Sequence, residues 1–115
     1  MPRFVILEHD HPVLHWDLML EAGDVLQTWR LAQAPAPGEA IEATALGDHR
    51  LAYLDYEGPV RGNRGSVKRW DGGEFGEETT SSPSTRRLCL RGVRVQGSIV
   101  LEQVDGAKWL WRWAT

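Results

Sequence analysis

The sequence predicts an all-β, mainly antiparallel domain that forms a small closed or partly closed β-barrel with little helix. Short segments rich in β-prone residues recur at intervals of about ten residues, with turn residues between them. Few segments carry a helical period, and Asp105-Gly106 is a strong signal for a two-residue hairpin. Many short strands joined by such turns are typical of barrels and sandwiches, of which we favour the barrel.

Length and composition predict one domain. The 115 residues, 42% of them hydrophobic, suffice for one core, so we assign residues 1–115 to a single domain. Thirteen basic and sixteen acidic residues give a formal charge of −3, so contact with nucleic acid would need a local basic patch. The single cysteine, Cys89, excludes an intrachain disulfide and a thiolate-rich zinc site, and we expect it to be a packing residue.

No feature of the sequence indicates a membrane. The longest apolar runs fall far short of the roughly 18 residues of a spanning helix, and the first residues lack the pattern of a signal peptide. We therefore expect a cytoplasmic protein without a membrane partner.

The first predicted elements are two strands joined by a tight loop. Phe4 to Glu8 is β-prone, Asp10-His11-Pro12 supplies turn chemistry, and Val13 to Glu21 alternates. Side chains of a strand point to alternate faces, so one face of the second strand should build core and the other should present ligands. The expected core face is Leu14, Trp16, Leu18 and Leu20, and the expected ligand face is His15, Asp17, Met19 and Glu21.

The rest of the chain is read in the same way. Further strands are predicted at Val25 to Leu31, Ser66 to Trp70, Leu88 to Val95, Ser98 to Val104 and Lys108 to Ala114. Ala40 to Leu46 fits a helix or a strand, with strand slightly favoured, and His49 to Tyr56 fits a helical turn or irregular chain. The polar stretch from Gly72 to Thr85 is predicted to be a mobile loop. The tryptophans of the last strand share one face, which favours a core stripe over a stacking platform for nucleobases.

Potential metal ligands are concentrated around the first turn. Residues 9–17 hold three of the four histidines of the chain and a carboxylate, and imidazole and carboxylate bind divalent first-row metals. His15 and Asp17 share a strand face, and His9, at the end of the paired strand, can turn toward them. We predict a metal held by these three residues, with positions left for water or substrate. The alternative is a set of ordinary polar side chains on a solvated hairpin.

The neighbours of these ligands have subordinate roles. His11, beside Pro12 in the turn, is expected to be exposed. Glu8 and Asp10 could fix a histidine tautomer, because ligating imidazoles usually donate their other N–H to a carboxylate or carbonyl, or they could simply be solvated.

A second polar group begins at His49. Cations and a phenol follow it closely: Arg50, Tyr53, Arg61, Arg64, Lys68 and Arg69. Cations and a phenol beside a histidine can hold a phosphate, and the alternative is a solvated strand and loop.

Several blocks of sequence carry a family resemblance. They are Phe4 to His9, Leu14 to Glu21, Val25 to Trp29, Asp48 to Tyr53, Tyr56 to Gly58, Val67 to Asp71 and Gly97 to Leu110. These blocks resemble the 3′-phosphoesterase domain family of bacterial DNA ligase D over nearly the whole chain. The spacing from His9 to His15 to Asp17 inside a matching apolar frame is the most specific part.

The resemblance implies a small β-barrel and a manganese-dependent activity that trims phosphate or a ribonucleotide from DNA 3′ ends. It makes His9, His15 and Asp17 the ligands of a divalent metal, with Mn²⁺ expected and Zn²⁺ or another first-row ion as alternatives. His49 would contact the scissile phosphate, with Tyr53 nearby. The implied partners are DNA 3′ ends and a ligase or polymerase, and we expect Arg50, Arg61 and Arg64 to bind phosphate.

The chain departs from the family pattern at two positions. Met19 stands where the pattern has an arginine on the metal-binding strand face, and Gly47 where it usually has an acidic residue. A charge-assisted phosphate contact is worth roughly 1.5–3 kcal/mol. The loss predicts a weakened esterase with phosphate contacts moved to Arg61 or Arg64, or a metal-binding relative with another substrate.

Two other functions fit parts of the sequence. His15, Asp17 and His49 could form the facial triad of a non-haem iron oxygenase, in which case all three must reach one ion. Alternatively, the barrel could have lost catalysis and serve as an adaptor that binds a repair protein or a nucleic-acid end, which Met19 and the acidic net charge favour.

Overall fold

The computed structural model describes residues 1–114, which form nine strands and one 3₁₀ turn, Leu51–Leu54. The strands are β1 (Arg3–His9), β2 (His15–Ala22), β3 (Val25–Leu31), β4 (Ile41–Arg50), β5 (Gly58–Pro59), β6 (Ser66–Glu77), β7 (Thr85–Arg91), β8 (Gln96–Asp105) and β9 (Lys108–Trp113).

The sheet closes on itself into an antiparallel barrel of eight strands. The strand order is β1-β2-β3-β4-β9-β8-β7-β6, and β6 pairs back to β1 from Arg3 to His9. The two-residue strand β5 is added on the outer edge of β6. Closure leaves few unpaired strand edges, and the predicted all-β barrel is confirmed.

The barrel interior is filled by alternate residues from all eight strands. Leu18 and Leu20 of β2 and Trp109 and Trp111 of β9 are at most 8% exposed and belong to one continuous core cluster. The tryptophan stripe is therefore core, as predicted, with Trp113 packed against it. Leu14 was predicted to be the first core residue of β2, but it precedes the strand and is exposed. The core face of β2 therefore begins at Trp16.

A second apolar cluster lies on the outer face of the barrel. Val5, Leu7 and Met19 project away from the interior and are covered by Leu54 of the 3₁₀ turn and by Val67 of β6. The prediction that this face only presents ligands was incomplete, because the same face also packs under the 3₁₀ turn. This cover creates a sheltered surface beside the polar end of β1 and β2.

The prediction of a mobile loop from Gly72 to Thr85 is wrong for the first part of that stretch. β6 continues to Glu77, pairing first with β1 and then with β7. Glycines here allow close packing rather than a loop: a Cβ on Gly73 would lie 2.1 Å from the carbonyl oxygen of Arg91. The glycines and glutamates of this stretch are typical of a loop, but pairing with β1 up to Glu74 and with β7 from Glu74 to Glu77 makes it a strand.

The structure also decides the two stretches whose secondary structure the sequence left open. The ambiguous stretch from Ala40 to Leu46 is strand, within the longer β4, and the open stretch after His49 contains the 3₁₀ turn. Cys89, expected to be a packing residue, is half-buried on β7 between the buried Leu88 and Leu90 and does not belong to the core cluster.

Candidate metal centre and its cleft

The register of the first hairpin brings the three predicted ligands together. His9 of β1 lies directly opposite His15 of β2, and Leu7 lies opposite Asp17. Opposite residues of an antiparallel pair project from the same face with Cβ atoms about 5 Å apart. The two imidazoles are therefore cross-strand neighbours, and Asp17 follows two residues along on the same outer face.

The ligand atoms of these side chains converge on one point. One atom from each of His9, His15 and Asp17 lies within 4.8 Å of the other two. Asp17 Oδ2 is 3.2 Å from His15 Nε2 and 3.8 Å from His9 Nδ1. Ligand bonds of about 2.0–2.2 Å to one ion separate neighbouring ligand atoms by about 3 Å or slightly more, so these distances suit a single cation.

Two backbone carbonyls fix the orientation of the imidazoles. His15 Nδ1 donates to the carbonyl of Val13 at 2.7 Å, and His9 Nε2 donates to the carbonyl of Arg64 at 2.8 Å. In the neutral rings, the nitrogens that face Asp17 therefore carry lone pairs. Lone pairs that face a carboxylate repel each other unless a proton or a cation lies between them. This donor set fits a divalent metal, and its carbonyl support is typical of ligating histidines.

The loop that carries the Arg64 carbonyl is held against the β1–β2 turn. Asp10 Oδ1 accepts a hydrogen bond from the backbone N–H of Ser66 at 2.8 Å. Gly65, at φ +74°, packs so closely that a Cβ there would lie 2.2 Å from that same oxygen. Asp10, expected to hold a histidine or to be solvated, instead positions the loop whose carbonyl holds His9.

Two of the three candidate ligands, His9 and Asp17, line a cleft of about 400 Å³. His49 and Tyr53 line the same cleft, with ring centroids 6.0 Å apart in an edge-to-face arrangement. His49 Nδ1 donates to the carbonyl of Gly47 at 2.9 Å, and within residues 1–114 Nε2 has no hydrogen-bond partner. His11, expected to be exposed, is half-buried and lines the same cleft. The arrangement places an imidazole nitrogen of His49 in the same cleft as two of the candidate metal ligands.

Comparison with known proteins assigns this chain to a family. Residues 7–103 match the DNA Ligase D 3′-phosphoesterase domain. The chain belongs to this family. The resemblance inferred from the sequence is confirmed.

Individual relatives agree with this assignment. The multifunctional non-homologous end joining DNA repair protein LigD of Mycobacterium tuberculosis is 30% identical over 115 aligned residues, which cover 93% of this chain and 15% of that protein. The LigD protein of Pseudomonas aeruginosa is 34% identical over 78 residues, covering 64% of this chain and 9% of that protein. The LigD protein of Mycolicibacterium smegmatis is 29% identical over 123 residues, which cover 94% of this chain and 16% of that protein. The chain thus spans only a small part of the length of these relatives.

The arginines predicted to bind phosphate in this phosphoesterase-family domain divide into two groups. Arg64 lines the cleft of the metal ligands, and its Nε donates to the carbonyl of Arg61 at 2.8 Å. Arg50 and Arg61 do not line that cleft and instead line a neighbouring groove. Arg69 donates to the carbonyl of Leu54 and braces the 3₁₀ turn.

One cleft residue was missed by the sequence analysis. Arg30 of β3 lies directly opposite Asp17 and lines the cleft, with its Nε 3.9 Å from Asp17 Oδ1. The turn at Gly23-Asp24 would have located it, because pairing Ala22 with Val25 and counting outward places residue 30 opposite residue 17.

The non-haem iron triad does not agree with this geometry. Within residues 1–114 the group of potential ligands that converges is His9, His15 and Asp17, and His49 is outside it. A site built from His15, Asp17 and His49 would need all three at one ion, so this reading is wrong.

Within residues 1–114, no helix is both long and apolar enough to span a membrane.

Proposed function

We propose that this domain is a divalent-metal-dependent phosphoesterase that removes a 3′-phosphate or a 3′-ribonucleotide from DNA ends. The observation that carries the proposal is the convergence of two carbonyl-oriented imidazole nitrogens and one carboxylate oxygen beside a cleft that His49 also enters. Mn²⁺ is the ion that the family resemblance favours. Bound at His9, His15 and Asp17, it would supply positive charge to the phosphoryl group during displacement.

We assign separate roles in the reaction to the residues of the cleft. For a 3′-phosphate, a water oxygen forms a bond to phosphorus while the bond from phosphorus to the 3′-oxygen breaks, and that oxygen leaves with a proton. His49 Nε2 is placed to donate this proton or to bind a non-bridging oxygen. Tyr53 packs edge-to-face against His49 and limits the orientations of its ring.

The groove beside the cleft suits the DNA strand that leads to the 3′ end. Its volume is about 300 Å³, and it shares Tyr53, Val60 and Arg64 with the cleft. Arg50 and Arg61 supply cations for backbone phosphates, while tyrosine rings provide surfaces for sugars or bases. We propose that DNA follows this groove, despite the net charge of −3, because the local patch is basic.

The names of the relatives suggest a biological role for the proposed activity. Their names describe multifunctional non-homologous end joining proteins. We therefore propose that this domain acts in DNA end repair in the cytoplasm, beside a ligase or a polymerase that uses the cleaned 3′-hydroxyl.

The decisive experiment is turnover of a 3′-phosphorylated primer-template with Mn²⁺, comparing the wild type with Asp17→Asn. Asp24→Asn is the matched control, because Asp24 is exposed in the β2–β3 turn. We expect the wild type and the control to release phosphate, and Asp17→Asn to lose both Mn²⁺ binding and at least about 100-fold in rate. Equal turnover by the wild type and Asp17→Asn would reject the mechanism.

The adaptor function is the second candidate, and one observation favours it. Met19 is 2% exposed and lines the cleft, so β2 offers the phosphate an apolar thioether rather than a cation. Binding of DNA ends that does not depend on metal, without turnover of any phosphorylated end, would support the adaptor over the esterase.

A further inference from the structure

Two buried polar atoms in the cleft lack partners. Asp17 Oδ1 and Arg30 Nε are both buried, and within residues 1–114 neither makes a hydrogen bond. Buried polar groups are nearly always satisfied, and leaving one unpaired is costly. The unpaired Nε–H of Arg30 can be completed by an acceptor of an anionic ligand, whereas Asp17 Oδ1, itself an acceptor, needs a donor or a cation.

Arg30 is not simply the ion-pair partner of Asp17. Its Nε is 3.9 Å from Asp17 Oδ1, which is too long for a hydrogen bond. The arginine side chain is 41% exposed while its Nε is buried, so the guanidinium extends from the barrel wall into the cleft. Asp17 thus directs one oxygen, Oδ2, toward the imidazoles and the other toward Arg30.

The other walls of the cleft offer less to an anion. Met19, on the floor, is apolar, and the Nε of Arg64 is already bonded to the carbonyl of Arg61. Arg30, by contrast, is carried by a strand within the closed barrel and lies next to a metal ligand. Its planar guanidinium can donate two parallel hydrogen bonds to a phosphate.

We propose that Arg30 binds the terminal 3′-phosphate of the substrate, which rests on the phosphoesterase function proposed above. Arg30 and Met19 are diagonal neighbours across the β2–β3 pair, since Asp17 faces Arg30 and Met19 faces Thr28. Diagonal positions lie about 7–8 Å apart, within reach of an arginine side chain. A cation on β3 can therefore serve a phosphate held above the apolar floor at Met19. The sequence had suggested Arg61 or Arg64 for this contact.

The first measurement separates phosphate binding from support of the metal site. If Arg30 only held Asp17 in place, Arg30→Gln would weaken Mn²⁺ binding. If Arg30 binds phosphate, removing a positive charge beside a metal ligand leaves Mn²⁺ affinity unchanged or tightens it. Titration calorimetry with Mn²⁺ alone, in the absence of DNA, decides between these, and a clear loss of Mn²⁺ affinity in Arg30→Gln overturns the proposal.

The second measurement tests recognition of the end itself. We compare the binding of a primer with a 3′-hydroxyl and a primer with a 3′-phosphonate, in which carbon replaces the bridging oxygen so that no cleavage occurs, both with Mn²⁺. The wild type should prefer the phosphonate end, and Arg30→Gln should reduce that preference by about 10- to 100-fold. Arg30→Lys should retain part of it, and Arg91→Gln, which removes an exposed arginine of β7, should retain all of it.

Failure of this proposal is distinguishable from failure of the proposed function. If the wild type turns over the 3′-phosphate and Arg30→Gln does so equally well with unchanged end preference, Arg30 is not the phosphate ligand although the domain is an esterase. If the wild type binds the phosphonate end without any turnover of the phosphate, the esterase is rejected, and loss of end preference in Arg30→Gln still supports Arg30.

Discussion

His9 donates from Nε2 to the backbone carbonyl of Arg64 at 2.8 Å, across 55 residues of chain. This hydrogen bond couples the orientation of a metal ligand to the position of a loop. The loop is in turn fixed by Asp10 and by the tight packing of Gly65 against the β1–β2 turn. The geometry of the candidate metal site therefore depends on residues outside the three proposed ligands.

This coupling predicts that Gly65→Ala weakens metal binding without changing any ligand. The new Cβ would lie 2.2 Å from Asp10 Oδ1 and 2.7 Å from His11 Cβ, so the loop must shift and carry the Arg64 carbonyl away from His9. Loss of such a supporting hydrogen bond should lower Mn²⁺ affinity by about 10- to 100-fold, measured by calorimetry.

The matched control for Gly65→Ala is Gly38→Ala. Gly38 has a similar φ of +78°, but a Cβ there meets nothing within 4 Å. Both variants should lose about 1 kcal/mol of stability from the unfavourable backbone angle, and only Gly65→Ala should lose metal affinity. Equal Mn²⁺ affinity in the two variants would contradict the coupling.

His49 should affect turnover but not metal binding. Its imidazole lines the cleft but lies outside the converging ligand group. We expect His49→Gln to bind Mn²⁺ like the wild type and to release phosphate at least about 100-fold more slowly. Asp48→Asn, at the exposed neighbouring position, is the control. If His49→Gln lost Mn²⁺ binding, the assignment of His49 to the reacting group would be wrong.

Arg61 should contribute to DNA affinity without reading the end. It lines the neighbouring groove and not the metal cleft. Arg61→Ala should weaken binding of 3′-hydroxyl and 3′-phosphonate primers equally, and should reduce the slope of log affinity against log salt by about 0.7 to 0.9. Fluorescence anisotropy at several salt concentrations measures both effects. A selective loss of binding to phosphonate ends would assign Arg61 the role proposed for Arg30.

The ion pair between Arg86 and Glu77, outside the candidate site, makes the free energy of unfolding depend on pH. Arg86 donates hydrogen bonds to Glu77, which hold the pKa of that carboxyl below its ordinary value of 4.5, and stacks over the ring of Trp29. A lowered pKa in the folded state stabilises the fold above the unfolded pKa, and this contribution is lost as pH falls from about 4.5 through the folded pKa.

Glu77→Gln should therefore lose about 0.5–1 kcal/mol of unfolding free energy at pH 7, and the difference from wild type should shrink below pH 4.5. Urea unfolding across the pH range measures this, with Glu42→Gln, an exposed position on β4, as the control. A difference that stays constant from pH 7 into acid would show that the ion pair is not its source.

The sequence determined most of the strands and turns and the identity of the three candidate ligands. Period-two alternation in β2 and the Asp105-Gly106 turn are local signals, because side-chain direction and turn chemistry depend on neighbouring residues. His15 and Asp17 share a face for the same reason, so their proximity could be predicted. The register of the β2–β3 hairpin, and hence the position of Arg30, was also within reach of the sequence.

Only the tertiary structure decided how the barrel closes and what surrounds the ligands. The pairing of β6 with β1 gives the glycine-rich stretch after Trp70 its strand conformation, and it brings the Arg64 carbonyl to His9. The fold likewise brings His49 into the same cleft as Asp17 and packs Met19 beneath the 3₁₀ turn. These contacts join residues far apart in the chain, and their geometry follows from closure of the whole sheet, which no local pattern encodes.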